Sequence, residues 1–480
     1  MATLATALEQ IVGAAHLLTR PLSLLVYRSD GLPGHRAMPS LAVFPGTRDE
    51  VTRVVRVLAE AGVPFVARGA GTGLSGGALA DGIVLLGLHR LKGILAIDAE
   101  ARTATVEPGV VNATLSKAVA PLGLHYAPDP SSQSACTIGG NIAENAGGPH
   151  CLKYGVTLDH VVRATVVLPD GEVMTLDRGE GTGYDLLGAF VGSEGCFGVV
   201  LDVTVRLTPI PEGVITLLAD FTSVRAAADA TSRIIAAGIL PAALELMDQA
   251  TIEAVESSVY AAGYPRDAAA VLLAEVDGAI AGLEEDAAMI ERLCREAGAR
   301  EVRVARDADE RARLWQGRKK AFGAMGRVAP HLVVQDAVVP RTRLADLLEE
   351  IHTIGARYDV RVCNVFHAGD GNLHPNIPYD ADDPEESARA ALAMSAIMHR
   401  CIAVGGSITG EHGVGLDKLD YMTTLFTDDT LDAMCTLRDV FDPERRANPG
   451  KVVPVRSCRE WLAAPAARPG HTTPAAGASA

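Results

Sequence analysis

The sequence has no closely spaced cysteines. Eight cysteines are scattered over 480 residues, and no two of them form a CxxC pair. Such a chain encodes neither an iron–sulfur run nor a cysteine-ligated zinc site. Dispersed single cysteines are typical of a reducing cytoplasm, and we expect a cytoplasmic protein. Any electrons that leave the chain would have to pass to a separate acceptor.

The sequence also lacks an unbroken apolar run long enough to span a bilayer. Arg20 is the only Lys or Arg among the first twenty residues, which predicts an amphipathic helix and not a secretory signal or a transit peptide. The formal net charge of −16 argues against nucleic-acid binding and against attachment to anionic lipid. We therefore expect no nucleic-acid partner and no transmembrane segment.

The length and the hydrophobic content of 48% predict a globular chain with at least two domains. Strand and helix patterns mix without strict alternation on both sides of a break near Pro209–Gly213, which predicts an α+β fold. We expect an N-terminal helical segment at 1–38, a first domain at 39–211 and a second domain at 212–455. The Ala/Pro/Gly/Thr/Ser composition at 456–480 predicts a disordered tail.

One glycine-rich loop, Gly71–Gly76, matches the GxGxxG pattern of NAD-binding Rossmann domains and follows a predicted strand that ends at Arg68. That fingerprint requires a helix to begin within the glycines. Here the loop continues through Gly82 into another strand-like run, so the NAD interpretation fails. Closely spaced glycines let backbone N–H groups approach an anion, and we expect a diphosphate.

Two further segments of the same region resemble this loop in composition. Residues 128–148 combine hydroxyl and amide side chains with Gly-Gly steps, and residues 192–198 form a glycine-rich turn between apolar runs. Three such segments in one domain favour a long, extended ligand over a single phosphate.

The stretch FHAGDGNLHPN, Phe366 to Asn376, has two histidines on either side of an Asp-Gly pair. Asp-Gly between strand-like residues predicts a two-residue hairpin turn, which would place His367 directly opposite His374. Directly opposed residues have Cβ atoms about 4.5–5.5 Å apart. Both imidazoles could then bind one metal ion. The alternative is a surface hairpin with two incidental histidines.

Several motifs, in order, resemble a known family. Three motifs resemble the FAD domain of vanillyl-alcohol-oxidase-type (PCMH-type) flavoproteins: RGAGTGLSGGA, PDPSSQSACTIGGNIAENAGG and FVGSEGCFGVV. Three later motifs resemble the substrate domain of the 2-hydroxy-acid branch of this family: FHAGDGNLHPN, TGEHGVG and NPGKVVP. That branch contains the FAD-linked subunit of glycolate oxidase, D-lactate dehydrogenase and D-2-hydroxyglutarate dehydrogenase. The resemblance covers about 39–454 and implies a two-subdomain FAD-binding domain followed by an α+β substrate domain with an antiparallel sheet.

The resemblance implies non-covalent FAD, because the first glycine loop has neither the His nor the Cys through which some relatives attach it. Residues 68–77 and 128–148 would hold the diphosphate and the flavin. Glu194, Gly198 and Val199 would lie near the adenine half, and Asn448 would approach the isoalloxazine. The implied cofactor-binding residues are Arg68, Gly69, Ala70, Gly71, Thr72, Gly73, Leu74, Gly76, Gly77, Pro128, Asp129, Ser132, Cys136, Thr137, Gly139, Gly140, Asn141, Asn145, Glu194, Gly198, Val199 and Asn448.

The resemblance also implies a metal site. In the metal-bearing members, positions that match His367, His374 and Glu411 bind the metal, and the position that matches His412 is the catalytic base. Two imidazoles and one carboxylate fit zinc best, with Mn, Fe(II) or Co as alternatives. A simpler reading is that Glu411 and His412 only lead into the helix predicted at 418–425.

For the substrate, the resemblance implies binding by Arg318, Asn372 and His412, with Arg318 at the carboxylate. A solvated, charged helix face is the alternative role for Arg318. The hydroxyglutarate enzymes have a lysine where this chain has Val334, which favours a small monocarboxylate. The implied reaction is oxidation of glycolate or D-lactate to the 2-oxo acid. Electrons would pass to an iron–sulfur subunit, a quinone, a flavoprotein or a dye.

Other functions are compatible with parts of this pattern. A D-2-hydroxyglutarate dehydrogenase is the nearest alternative. An ether-lipid alkyl-glycerone-phosphate synthase is a transferase that shares the fold and FAD, but it depends on different histidine-rich residues. A non-catalytic FAD subunit would lack the C-terminal motifs. The sequence is compatible with a homo-oligomer and with peripheral membrane association through an electron-accepting partner.

Overall fold

The computed structural model describes residues 2–178 and 183–454, so the predicted tail at 456–480 lies outside the described residues. Helices up to residue 211 are α1 Ala2–Val12, α2 Pro21–Leu24, α3 Arg48–Glu60, α4 Asn112–Val119, α5 Ile138–Glu144, α6 Cys151–Tyr154, α7 Thr157–His160 and α8 Leu186–Phe190. Strands of the same region are β1 Leu17–Leu18, β2 Leu41–Val43, β3 Phe65–Arg68, β4 Val84–Gly87, β5 Ile94–Asp98, β6 Thr103–Val106, β7 Leu124–His125, β8 Val161–Val167, β9 Val173–Asp177, β10 Val199–Arg206 and β11 Thr208–Pro209.

Beyond residue 211 a second set of elements follows. The helices are α9 Val224–Ala236, α10 Gln249–Glu256, α11 Ile280–Glu296, α12 Ala308–Lys319, α13 Ala321–Met325, α14 Leu344–Arg357, α15 Pro384–Ala403, α16 Leu419–Leu425 and α17 Asp428–Phe441. The strands are β12 Gly213–Phe221, β13 Ala243–Asp248, β14 Ala270–Gly278, β15 Ala299–Val304, β16 His331–Val334, β17 Ala337–Val338, β18 Cys363–His367, β19 Asn372–Leu373 and β20 Pro375–Tyr379. Short 3₁₀ turns lie at Ala14–His16, Leu25–Tyr27, Ala120–Leu122 and Arg341–Arg343.

The first domain is built on two larger sheets. One has the order β1-β2-β4-β3, with β2, β4 and β3 parallel, and the other is antiparallel with the order β5-β6-β10-β8-β9. Helix α3 connects β2 to β3, and Thr47 caps it by accepting a hydrogen bond from the Glu50 N–H. The apolar stripe of α3 is buried against the first sheet.

The glycine loop joins two parallel neighbours without a helix. Strand β3 ends at Arg68, and the next regular element is β4, which begins at Val84. A Rossmann site needs a helix at this point. The loop has no helix at residues 69–83, as predicted. The second glycine-rich segment differs from the expected loop, because Thr137 caps the short helix α5 inside it.

The second domain is a layered α+β unit. Its antiparallel sheet has the order β15-β12-β14-β13-β18-β19-β17, with β20 pairing β18 and β16. Helices α9, α11, α14 and α15 pack on one face, and α10, α12 and α13 pack on the other. The predicted α+β class and antiparallel sheet are confirmed.

The histidine hairpin has a different register from the predicted one. Its strands pair His367 with Asn372, not with His374. Residues 368–371 therefore form the connection, and the prediction of a two-residue turn is wrong. Asp370 accepts a hydrogen bond from the Asn372 N–H at 3.0 Å, and this local bond favours the wider turn. A register change of two residues keeps side chains on the same face. His367 and His374 are therefore diagonal neighbours, with ring centroids 5.2 Å apart.

After α17 the chain returns to the first domain. The Phe441 ring stacks on Phe197, and Ala447 forms a bridge with Phe65 at the start of β3. We call residues 438–454 the return segment. No helix within 2–178 and 183–454 has the length and apolarity that a membrane crossing requires.

Candidate functional site

A cavity with about 1530 Å³ of empty space, including its open mouth, lies where the two domains meet. The three glycine-rich segments line it from the first domain. From the second domain it is lined by Arg318, Phe322, His367, His374, Glu411 and His412. One continuous space therefore connects the proposed nucleotide site to the proposed metal site.

Most of the cofactor-binding residues implied by the resemblance line this cavity. They are Arg68, Gly69, Ala70, Gly71, Thr72, Gly73, Leu74, Gly77, Ser132, Cys136, Thr137, Gly139, Gly140, Asn141, Glu194, Gly198 and Val199. The other five do not line it: Gly76, Pro128, Asp129, Asn145 and Asn448.

Two of these five, Asn448 and Asn145, bond through their side chains to other segments of the first domain. The Asn448 side chain donates hydrogen bonds to the carbonyls of Gly77, at 3.0 Å, and Glu194, at 2.6 Å. The Asn145 side chain accepts from the Leu158 N–H at 2.8 Å. These contacts give Asn448 and Asn145 a supporting place in the structure.

Unpaired polar atoms on the wall provide a test for FAD. The Asn141 amide nitrogen, the Ser193 hydroxyl and one carboxylate oxygen of Glu144 are buried without a hydrogen-bond partner. Buried polar groups in folded proteins nearly always have partners. At Gly69 a Cβ would collide with the Thr137 hydroxyl, so this wall requires glycine. The cavity therefore fits a long polar ligand such as FAD.

The three predicted metal ligands, His367, His374 and Glu411, converge at the second-domain end of the cavity. The Nε2 atoms of His367 and His374 each lie 3.2 Å from the same Glu411 oxygen. Their Nδ1 atoms face other acceptors, Glu245 at 2.7 Å and the Gln335 carbonyl at 3.3 Å. Burial would raise the pKa of Glu411, but the imidazoles outweigh it and hold that pKa well below its usual range. Two Nε2 atoms and one carboxylate form a donor set that fits a divalent ion.

Asp336, His374 and His412 form a second group with metal-like spacing. However, the Asp336 carboxylate already accepts hydrogen bonds from the Thr409 hydroxyl and from the backbone N–H groups of Gly410 and His412. It also pairs with Lys418, whose Nζ lies 3.1 Å away. With these partners Asp336 anchors the loop at 409–412, which leaves His367, His374 and Glu411 as the better candidate metal group.

His412 lies beside the metal-type residues. Its ring stacks on His374 with centroids 4.9 Å apart, and its Nε2 lies 3.8 Å from a Glu411 oxygen. Burial lowers the pKa of His412 to about 4. The imidazole is therefore neutral near pH 7, which is the form that can accept a proton.

Arg318 lies on α12 at the cavity wall with only 1% of its side chain exposed, so the solvated-face alternative is wrong. Its Nε donates to Glu245 at 2.6 Å. Its Nη2 lies 2.5 Å from the same oxygen without hydrogen-bond geometry and has no hydrogen-bond partner. Asn372 does not line the cavity; it pairs with His367 in the ladder.

Sequence reasoning missed several residues of the site. Glu144 and Ser193 line the cavity from within the quoted motifs, and Phe322 lies four residues after Arg318, in the next helix, α13. Glu245 and Asp336 reach the site from strand β13 and from the connection after β16. No short motif marks these two carboxylates, because strand pairing brings them to the site.

Comparison with known proteins gives consistent matches over nearly the whole chain. Residues 39–177 match the family model described as FAD binding domain, and residues 210–452 match the one described as FAD linked oxidases, C-terminal domain. The chain is 47% identical over 459 residues to glycolate oxidase subunit GlcD of Escherichia coli strain K12, covering 95% of this chain and 92% of the relative.

More distant matches agree in fold. D-lactate dehydrogenase of Anaerostipes hadrus is 33% identical over 428 residues, covering 87% of this chain and 90% of the relative. The crystal structure of p-cresol methylhydroxylase superposes with a TM-score of 0.81 at 16% identity, covering 95% of this chain and 97% of that one. At that identity the likeness shows the PCMH-type fold alone.

Proposed function

Because the chain belongs to the family of FAD-linked oxidases, we propose that it oxidises a small D-2-hydroxy acid, glycolate or D-lactate, to the 2-oxo acid. One observation carries the proposal: a single cavity joins glycine-rich walls that fit FAD to the group His367, His374 and Glu411. Relatives named for glycolate and D-lactate support this substrate class.

Two bound groups belong to the proposed site. Non-covalent FAD, held by the glycine-rich walls, would supply the acceptor for the substrate's hydride. A divalent ion, zinc above all, held by His367, His374 and Glu411, would supply a Lewis acid that lowers the pKa of the substrate hydroxyl. The donor set also suits Mn, Fe(II) or Co.

The chain's own residues supply binding and proton transfer. Arg318 lies at the cavity wall, where Glu245 holds its buried guanidinium, which supports a role in binding the substrate carboxylate. His412 is neutral near pH 7 and would accept the hydroxyl proton on its imidazole. With the carboxylate held and the proton removed, the Cα–H bond is presented for oxidation.

The electrons would leave to a separate, non-NAD acceptor. The GlcD relative is named as a subunit, which supports a partner protein for this chain as well. An iron–sulfur subunit, a quinone, a flavoprotein or a dye could each take that role. We place the enzyme in the cytoplasm or at a membrane surface through such a partner.

Anaerobic mixing tests the proposal. We expect D-lactate or glycolate to bleach the flavin absorbance of the purified FAD-loaded protein. Removal of the metal with a chelator should stop the bleaching while the flavin spectrum and FAD content stay unchanged, and added zinc should restore it. D-2-hydroxyglutarate serves as the control substrate.

Three outcomes would contradict the proposal. Bleaching by D-2-hydroxyglutarate alone would favour the dicarboxylate alternative. Full bleaching of metal-free protein would remove the metal from the reaction. A flavin that no hydroxy acid reduces would indicate a transferase or a non-catalytic subunit.

A further inference from the structure

Glu245 is a fully buried carboxylate in the middle of strand β13. Its neighbours Leu244 and Leu246 point to the opposite face of the sheet and pack against the helices there. Glu245 points to the other face, on which α12 with Arg318 packs. A buried carboxylate is destabilising unless it is paired and hydrogen-bonded, so its partners indicate what it does.

Strand pairing places one of these partners. Strand β13 runs antiparallel to β18, and Glu245 lies directly opposite His367. One carboxylate oxygen is 2.7 Å from His367 Nδ1. The other oxygen accepts a hydrogen bond of 2.6 Å from Arg318 Nε. Each oxygen therefore holds a different residue of the proposed site.

These two contacts act on different parts of the chemistry. A carboxylate that accepts from Nδ1–H selects one tautomer of His367, turns its Nε2 toward Glu411 and increases the basicity of that nitrogen. The contact with Arg318 engages Nε and brings Nη2 to 2.5 Å from the same oxygen, which fixes the orientation of the guanidinium at the cavity wall.

We infer that Glu245 is a positioning residue that aligns the metal-binding imidazole of His367 and the substrate-binding guanidinium of Arg318 at the same time. This inference rests on the proposed function. It predicts that one substitution, at a residue absent from the cavity wall, changes both metal affinity and substrate affinity.

The experiment compares Glu245→Gln with wild-type protein loaded with FAD. We expect the Gln variant to bind zinc about 10–100-fold more weakly in competition with a chromophoric chelator. At saturating zinc the KM of the Gln variant for D-lactate or glycolate should be at least about tenfold higher than that of wild type. The visible absorption of the cobalt-substituted protein should also shift, because the His367 ligand changes its hydrogen bonding.

The matched control is Asp248→Asn on the same strand. Asp248 is a buried carboxylate that caps α10 and binds the Asn364 side chain. Its nearest imidazole is that of His352, which is not one of the three proposed metal ligands. Its loss should lower stability while zinc affinity, KM and the cobalt spectrum stay as in wild type. If Glu245→Gln does not fold, Glu245→Asp keeps the charge but shortens the reach, and its zinc affinity should be intermediate.

Failure of the inference is distinguishable from failure of the proposed function. A wild type that binds zinc and bleaches with substrate, beside a Gln variant with unchanged zinc affinity and KM, overturns the inference alone. A change in KM without a change in zinc affinity also overturns it. A wild type that binds no zinc contradicts both.

Discussion

Asp336 shows how a single buried residue sets the position of the loop at 409–412. Its carboxylate is fully buried and accepts hydrogen bonds from the backbone N–H groups of Gly410 and His412. Burial would raise the pKa of Asp336, but Lys418 outweighs it and holds that pKa well below its usual range. The loop that carries Glu411 and His412 is therefore fixed by one ionised side chain.

Replacing this carboxylate should be severe. Asp336→Asn leaves the buried Lys418 ammonium without its counterion, and breaking a buried pair costs about 3–5 kcal/mol. We expect a loss of this size in the free energy of unfolding, measured by urea denaturation. The control is Asp346→Asn, which breaks an exposed pair with Arg225 and should cost less than about 1 kcal/mol. Equal stability of the two variants would contradict the anchoring role.

At this scale the sequence predicts residues that lie in compact motifs. His367, His374, Glu411 and His412 were all proposed from short stretches, and the structure brings them together. Glu245 could not be found in this way, because 122 residues separate it from His367 and only strand pairing places them side by side.

At the scale of elements, the connection after β18 depends on one glycine. Gly371 has a φ of +80°, and its carbonyl accepts a hydrogen bond from the Val339 N–H. A Cβ at this position would collide with the Val339 carbonyl oxygen. Both the turn and the approach of the next segment therefore require glycine here.

Gly371→Ala should be more destabilising than its backbone angle alone explains. A left-handed conformation costs an L-residue about 1–2 kcal/mol, and overpacking adds about 1–3 kcal/mol. Gly405→Ala is the matched control, because φ is +85° but a Cβ would meet nothing within 4 Å. Urea unfolding of both variants should show the larger loss at Gly371, and equal losses would contradict the close approach.

Local signals predicted single elements well. The strand that ends at Arg68 and the N-terminal amphipathic helix were both expected and are present. The register of the histidine hairpin was wrong, because an Asp-Gly pair indicates a turn without fixing how many residues it contains. Strand order in the larger sheet depends on contacts between distant segments, which periodicity does not encode.

At the scale of the whole molecule, a network of charges joins the two domains. His150 of the first domain lies between Asp129, at 2.9 Å, and Glu275 of the second domain, at 3.4 Å. Lys319 also reaches Asp129, and Arg311 pairs with Glu275. Charge pairing therefore supports the interface between the two domains.

This network predicts a pH-dependent stability. Burial would lower the pKa of His150, but the carboxylates of Asp129 and Glu275 outweigh it and raise that pKa to about 10. A raised folded-state pKa adds stability that is complete below the unfolded value of about 6.5 and is lost as the pH rises through about 10. The Tm difference between wild type and His150→Gln should therefore be largest below pH 6.5 and close toward pH 10.

The control for this measurement is His399→Gln at an exposed position. Its Tm difference from wild type should stay small across the same range. His125 and Lys319 also face the network, so the comparison uses the difference between variants and not the wild-type curve alone. A gap for His150→Gln that widens with rising pH would contradict the assignment.

The return segment has a consequence for biosynthesis. The Gly77 carbonyl accepts hydrogen bonds from the side chains of Asn448 and Lys451, and Asn448 lies 371 residues after Gly77 in the sequence. A ribosome that adds about 5–20 residues per second needs about 20–70 s to cover that interval. During this time the nascent first domain lacks the side chains that fasten its glycine loop. Capture of the flavin in its finished site must therefore wait until nearly the whole polypeptide has been synthesised.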